Sequence, residues 1–326
     1  MVRAVRGEGY TLPVAGELQY THTYVGAVKS SRVESVAASA GGARELGEMR
    51  LPLRAGLRML RDHAIAPTRP RPMKPSLTPK LKELNVCGWQ AVSTLFAQHP
   101  GEVKRLFFDA STGKRAGDFC QQLAQHKKVY RQVESAELEK ISATKLHGGI
   151  VAVIDERPVK KVTREVLADW GRTQASLLLL DRVSNANNVG AIVRTAAFFG
   201  VKSIIVADHP GQALPGDAAY RVAEGGMEFV DFYRVPTLTP FCAELKRTHF
   251  LLGTSLRGNQ LPPDEVRARG LPRPPAVILG NEEKGISPEL AAQCDRLIKI
   301  PGADSVESLN VSAAAAVLCW EFFGKR

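Results

Sequence analysis

Residues 297–323 read LIKIPGADSVESLNVSAAAAVLCWEFF: four strand-forming residues, a loop of Pro, Gly and small polar residues, and then a long, nearly unbroken apolar run. That run is too short to cross a bilayer, which takes about 20 residues. It is also too apolar for an ordinary surface helix, which keeps a polar stripe toward water. A helix over 311–323 is expected, with Ser308 and Asn310 available to cap it. Because it is apolar around most of its circumference, one sheet face cannot cover it, and a homodimer through this C-terminal region is expected.

Working backward, the same strand-then-helix rhythm repeats. Strands are expected at 177–180, 203–207, 250–254, 276–279 and 297–300, and helices at 189–199, 238–246, 288–293 and 311–323. Short, continuous apolar strands alternating with helices imply an α/β fold, a mostly parallel sheet covered on both faces. Upstream, a second, smaller α/β pattern is expected over 81–157. It has helices at 86–98, 118–126 and 135–142, strands at 103–109, 128–132 and 150–154, and a glycine break at Gly148 and Gly149. Residues 158–172 (PVKKVTREVLADWGR) read as a charged linker with one helical turn. Residues 1–80 read as a poorly ordered tail, closing on the proline-rich APTRPRPMKPSLTPK, with one short basic helix near 54–63.

The net charge of +11 is uneven. Residues 1–80 hold 13 Lys+Arg against 6 Asp+Glu, residues 81–172 hold 15 against 11, and residues 173–326 hold 16 against 16. A basic N-terminal half gathers phosphate backbones by counterion release, so nucleic acid is the leading partner and an anionic membrane surface the second. Mean hydropathy is −0.12, and no apolar run reaches membrane length, so a membrane span is excluded. The first twenty residues hold no secretory apolar core. Cys87, Cys120, Cys242, Cys294 and Cys319 are odd in number and never spaced C-x-x-C, which argues against a disulfide framework or zinc site. A reducing, cytoplasmic setting is expected, with no metal.

In parallel sheets, ligands bind where loops leave the carboxyl ends of strands. Three such loops carry the polar residues. The first, Asp181 to Thr195 (DRVSNANNVGAIVRT), opens a helix that Asn188 can cap and from which Arg194 projects. The second, Leu279 to Pro288 (LGNEEKGISP), leaves its strand through a glycine turn. The third is 300–313 (IPGADSVESLNVSA). Singly, each is explained by turn and cap chemistry.

Together and in this order, they resemble the three signature motifs of the SpoU family of AdoMet-dependent RNA ribose 2′-O-methyltransferases, within the knotted SPOUT superfamily. Asn188 with Arg194 fits the first motif, Gly280, Asn281, Glu282 and Gly285 the second, and Ile300, Pro301, Ser308, Leu309, Asn310 and Ser312 the third. The third departs at Gly302 and Asp304, where members often carry Met and Gly. Residues 81–157 resemble the L30e-like substrate-binding domain of such enzymes, with Gly88 early in a helix and Lys145 to Gly149 before the last strand.

The resemblance implies a methyltransferase domain over 173–326 with a C-terminal trefoil knot, in which the chain after Ile300 threads through an earlier loop, with S-adenosyl-L-methionine held in it largely by main chain at Leu279, Gly280, Asn281, Gly285, Ile300, Pro301 and Leu309, and with Thr254 and Ser255 beside it. The absence of G-x-G-x-x-G after a strand, and of a P-loop, agrees with a cofactor site of this kind. The implied catalytic set is Arg194, Asn188, Glu282, Ser308 and Asn310. Arg194 is described in the family as a general base. A guanidinium gives up its proton at high cost, so a clamp on the neighbouring phosphate and on the developing alkoxide is the other reading, with Glu282 the chemically easier base. The implied partner is rRNA or tRNA. A non-catalytic RNA-binding protein that retains the knot is the alternative, and a DNA or membrane-surface binder a third.

Overall fold

The computed structural model describes residues 81–260, 270–303 and 305–324. The basic segment 1–80, its expected short helix and Asp304 lie outside the described residues.

The amino-terminal layer is a four-stranded sheet in the order β1-β4-β2-β3, built from β1 (Glu83–Cys87), β2 (Arg105–Phe108), β3 (Val129–Gln132) and β4 (Ile150–Asp155). β4 pairs antiparallel with β1 and β2, and β2 runs parallel to β3. Helices α1 (Trp89–Gln98), α2 (Ala110–Gly113), α3 (Gly117–Gln125) and α4 (Ser135–Ser142) surround it. Val86 was expected on a helix, yet it lies in β1. Gly88, at φ +91, turns the chain from strand to helix, so the helix starts at Trp89.

The second sheet has seven strands, all parallel, in the order β11-β9-β10-β6-β7-β8-β5. These are β5 (Lys160–Lys161), β6 (Leu177–Asp181), β7 (Ser203–Ala207), β8 (Asp231–Val235), β9 (Phe250–Gln260), β10 (Pro275–Gly280) and β11 (Arg296–Lys299). Leu177 to Leu180 show why it is covered twice. Leu178 and Leu180 join one core with Ile204, Val206 and Leu279, while Leu177 and Leu179 join the other with Ile205, Ile278 and Phe241. All four leucines are fully buried, each contributing about 1.5–3 kcal/mol.

Helices α5 (Arg164–Thr173), α6 (Ala186–Phe198), α7 (Asp217–Ala223), α8 (Leu238–Leu245), α9 (Pro288–Ala291) and α10 (Val311–Phe323) cover the sheet. The stretch read as a linker with one helical turn is β5 and α5 instead. Thr163 caps α5 by accepting the Val166 N–H at 3.3 Å, and Trp170 is buried edge-on to Tyr233. Strand β8 and helix α7 were also unforeseen. Both are short and lie between glycine- and proline-bearing loops, which blurs their periodicity. All five cysteines are free, and burial pushes the thiols of Cys87, Cys242 and Cys319 up to about 12.

The two sheets are joined by specific polar contacts. Asp217 at the start of α7 accepts from the Asn85 N–H at 3.1 Å and from its amide at 3.2 Å. Arg157 donates to Glu102 at 2.7 Å and to the buried Glu228 at 2.5 Å. Burial pushes the Glu228 carboxyl up, and the Arg157 guanidinium opposes that shift.

Candidate active site at the carboxyl edge of the parallel sheet

Because β6, β10, β9 and β11 are parallel, the loops after them share one edge. The first begins at Asp181, the buried carboxylate that ends the leucine strand. It accepts two bonds from Arg182, at 3.0 and 3.1 Å, and one from the Ser287 N–H at 2.9 Å, which ties β6 to the start of α9. Asn185, rather than Asn188, caps α6, its side chain accepting from the N–H groups of Asn187 at 2.8 Å and Asn188 at 3.4 Å. That leaves the Asn188 amide free to reach the other loops.

The second loop is a closed turn, with Asn281 and Gly285 exchanging backbone bonds at 3.1 and 2.9 Å. Gly285 takes φ +66, and a Cβ on Gly280 would lie 2.2 Å from the Gly285 carbonyl carbon, so both glycines are demanded by the turn. The Asn281 amide donates to the Arg182 carbonyl at 2.8 Å.

Glu282 gathers the loops. Its Oε1 accepts from the Asn188 amide at 2.9 Å, and its Oε2 from the Ser184 N–H at 3.3 Å, the Ser184 hydroxyl at 3.4 Å and the Asn281 amide at 3.3 Å. Asn310, which caps α10, donates to the Asn188 Oδ1 at 3.2 Å. Asn188, Glu282 and Asn310 thus form one chain across all three loops. Ser308 is exposed on the third loop, outside that chain.

Arg194 is not brought to this cluster. Six residues along α6 from Asn188, it turns to another face and forms an ion pair of 2.8 Å with Glu224, the residue that follows α7. Asp181, Ser184 and Glu224 were missed by sequence reasoning. For Asp181 there was a signal, a lone carboxylate closing an all-leucine strand.

Burial would raise the Glu282 pKa. The Asn188 amide and the backbone N–H groups of Glu282, Ser184 and Asn185 outweigh that and hold it below the usual carboxylate range. A lowered folded-state pKa adds stability above the unfolded value of about 4.3. That stability is lost as pH falls through the lower folded value. Glu282 is therefore ionised at neutral pH, with its lone pairs engaged. Glu282→Gln sets an amide NH2 against those donors. It is expected to lower unfolding stability by about 1–2 kcal/mol in urea titrations, and to leave the pH profile of turnover between about 6 and 9 unchanged, since the wild-type carboxylate does not titrate there.

The residues expected at the cofactor converge on the same edge. Pairing of β11 jumps from Gly253 to Asn259, so 254–258 arches out of the ladder. The arch carries Thr254, which bonds the Ile278 carbonyl at 3.0 Å, Ser255, and the exposed Leu256. Leu279 and Gly280 are buried, Ile300 is half-buried, and Pro301, Val306 and Leu309 are exposed. Main-chain groups beside exposed apolar side chains suit an adenosyl group, whose recognition needs stacking and a few backbone bonds rather than charge. Among the described residues, no group of three or more His, Cys, Asp or Glu is placed to hold a metal, and no helix is long and apolar enough to cross a membrane.

The pattern of the SpoU rRNA methylase family matches residues 175–320, and that of the RNA 2′-O ribose methyltransferase substrate-binding region matches residues 85–160. The chain belongs to the SpoU family. Among its relatives is the 23S rRNA (guanosine-2′-O-)-methyltransferase RlmB of Bordetella pertussis, 33% identical over 74% of this chain and 97% of the relative. An uncharacterized tRNA/rRNA methyltransferase of Haemophilus influenzae is 31% identical over 80% of this chain and 71% of the relative. The SpoU methyltransferase AviRb of Streptomyces viridochromogenes, solved with AdoMet, shares the fold at a TM-score of 0.57 and 23% identity, over 74% of this chain and 89% of its own. A SpoU-family chain with this fold is an S-adenosylmethionine-dependent RNA ribose 2′-O-methyltransferase.

Proposed function

We propose that this methyltransferase acts on ribosomal RNA, that it works as a cytoplasmic homodimer, and that Arg194, Asn188, Glu282, Ser308 and Asn310 serve the reaction. The observation that carries the site is the Asn310–Asn188–Glu282 chain, which fixes three loops at one edge of the sheet. S-adenosylmethionine supplies an electrophilic methyl group when bound, and Thr254, Ser255, Leu279, Gly280, Asn281, Gly285, Ile300, Pro301 and Leu309 are the residues that would hold it, within a knotted C-terminal fold.

Arg194 clamps the phosphate next to the acceptor ribose and stabilises the negative charge that develops on the 2′-oxygen as the methyl passes to it from the sulfonium and its proton passes to solvent water. Glu282, with its oxygens taken by Asn188, Ser184 and Asn281, positions Asn188 rather than accepting that proton. Asn188 and Asn310 orient the ribose, and Ser308, exposed two residues before Asn310, contacts it. The rRNA assignment is supported by the RlmB relative and by the match to a substrate-binding region.

Arg194 lies one helical turn from Phe198, which is 82% exposed, and Trp320 on α10 is 58% exposed. A second copy covering this face would bring Arg194 to the edge of its partner's loops, which is how a dimer would complete the site. Sedimentation is expected to give a species of twice 35.4 kDa, and Trp320→Glu to shift it toward monomer. A concentration-independent wild-type monomer would contradict the dimer.

Mass-spectrometric mapping of ribose methylation in RNA from cells with and without the gene tests the function, with one rRNA 2′-O-methyl group expected to vanish. An unchanged map, together with no transfer to rRNA in vitro, would favour the non-catalytic RNA-binding reading.

A further inference from the structure

The segment Glu224–Gly225–Gly226 is gripped from two sides. A Cβ on Gly225, at φ +92, would lie 2.5 Å from the Thr94 hydroxyl on α1, and one on Gly226 would lie 3.1 Å from the Arg194 Cα on α6. Glu224 itself takes φ +45, an unusual conformation for a residue with a side chain. It is held there from α7, whose first residue, Asp217, clasps Asn85 of β1. Arg221 of α7 also donates to the Thr144 hydroxyl at 2.9 Å. The carboxylate so placed meets Arg194 through one guanidinium nitrogen, Nη2.

Both partners of that pair are about half exposed, 60% and 48%, so the contact adds little to stability. Its value lies in geometry. Arg194 is long and rotamer-rich, and a single anchored nitrogen fixes its direction while the rest of the fork stays available to a phosphate. We propose that Glu224 is a positioning residue for Arg194, held in place by the substrate-binding layer through α1 and α7. This rests on the reading of Arg194 as a catalytic residue. It also gives that layer a direct mechanical route to Arg194.

The test compares Glu224→Gln, Glu224→Ala and Glu224→Asp in the full-length protein, assayed for methyl transfer to the rRNA substrate. All three variants keep a side chain at the same backbone conformation, so their differences report the carboxylate. Loss of the anchor is expected to lower kcat about tenfold in the Gln and Ala variants, with KM for S-adenosylmethionine and the melting temperature unchanged. The Asp variant should recover most of the rate. In an Arg194→Ala background, Glu224→Gln should change the residual kcat by less than about twofold, because the two act through one group. A Glu224→Gln enzyme with kcat unchanged or raised overturns the proposal, as does an equal loss in the Asp variant. Full turnover by Arg194→Ala would instead overturn the assignment of Arg194, so the two failures are told apart.

Discussion

Arg194→Ala is expected to lose about 10²–10³ in kcat, the usual loss when a stabiliser of developing negative charge is removed, while binding S-adenosylmethionine as tightly as the wild type. The two readouts separate because Arg194 pairs with Glu224 after α7, whereas the residues assigned to the cofactor lie on the loops that follow β9, β10 and β11. Deleting an exposed pair at the surface of α6 leaves the core untouched, so folding is not at stake. Calorimetry with the cofactor, paired with single-turnover methyl transfer, decides the matter. Lost affinity or a full rate would each refute the role.

Gly280→Ala should act in the opposite sense, on binding before chemistry. The added methyl would sit 2.2 Å from the Gly285 carbonyl carbon and 2.3 Å from the Ile286 nitrogen. Both are backbone atoms and neither can swing aside as a side chain would. The closed turn between Asn281 and Gly285 must open, which loosens the Asn281 bond to Arg182 and the hold of Glu282 on Asn188. Overpacking of this kind costs about 1–3 kcal/mol. If that cost falls on the cofactor-bound geometry, affinity for S-adenosylmethionine falls about 10- to 100-fold. Unaltered affinity in the mutant would place the cofactor away from this turn.

The sequence declared the parallel sheet because its strands are apolar on both faces. Leu177 to Leu180 allow no exposed side, and the glycine and asparagine loops that follow such strands stand out against them. Helix α10 was legible for the same reason. What escaped was decided by tertiary context. The N-cap of α6 fell to Asn185 because the side chain of Asn188, in the first turn of that helix, bonds instead to Glu282 and Asn310 of the other two loops. Strand β1 was hidden because its alternation is short and borders a helix, and only its pairing with β4 settles it. The Glu224 contact could not be read at all, since it depends on how α7 packs between α6 and the first sheet.

The largest hydrophobic cluster has a consequence for how the protein melts. It runs without a break from Leu84 and Ile154 of the first sheet and Leu95 of α1 to Leu178 and Val206 of the second sheet and Leu318 of α10. The segments matched by two separate family patterns therefore share one interior. Two patterns match them separately, yet neither can be unpacked without exposing the apolar flank of the other. The described part of the chain is therefore expected to unfold as a single cooperative unit, and a cut in the β4–α5 connection to sever a core rather than a tether.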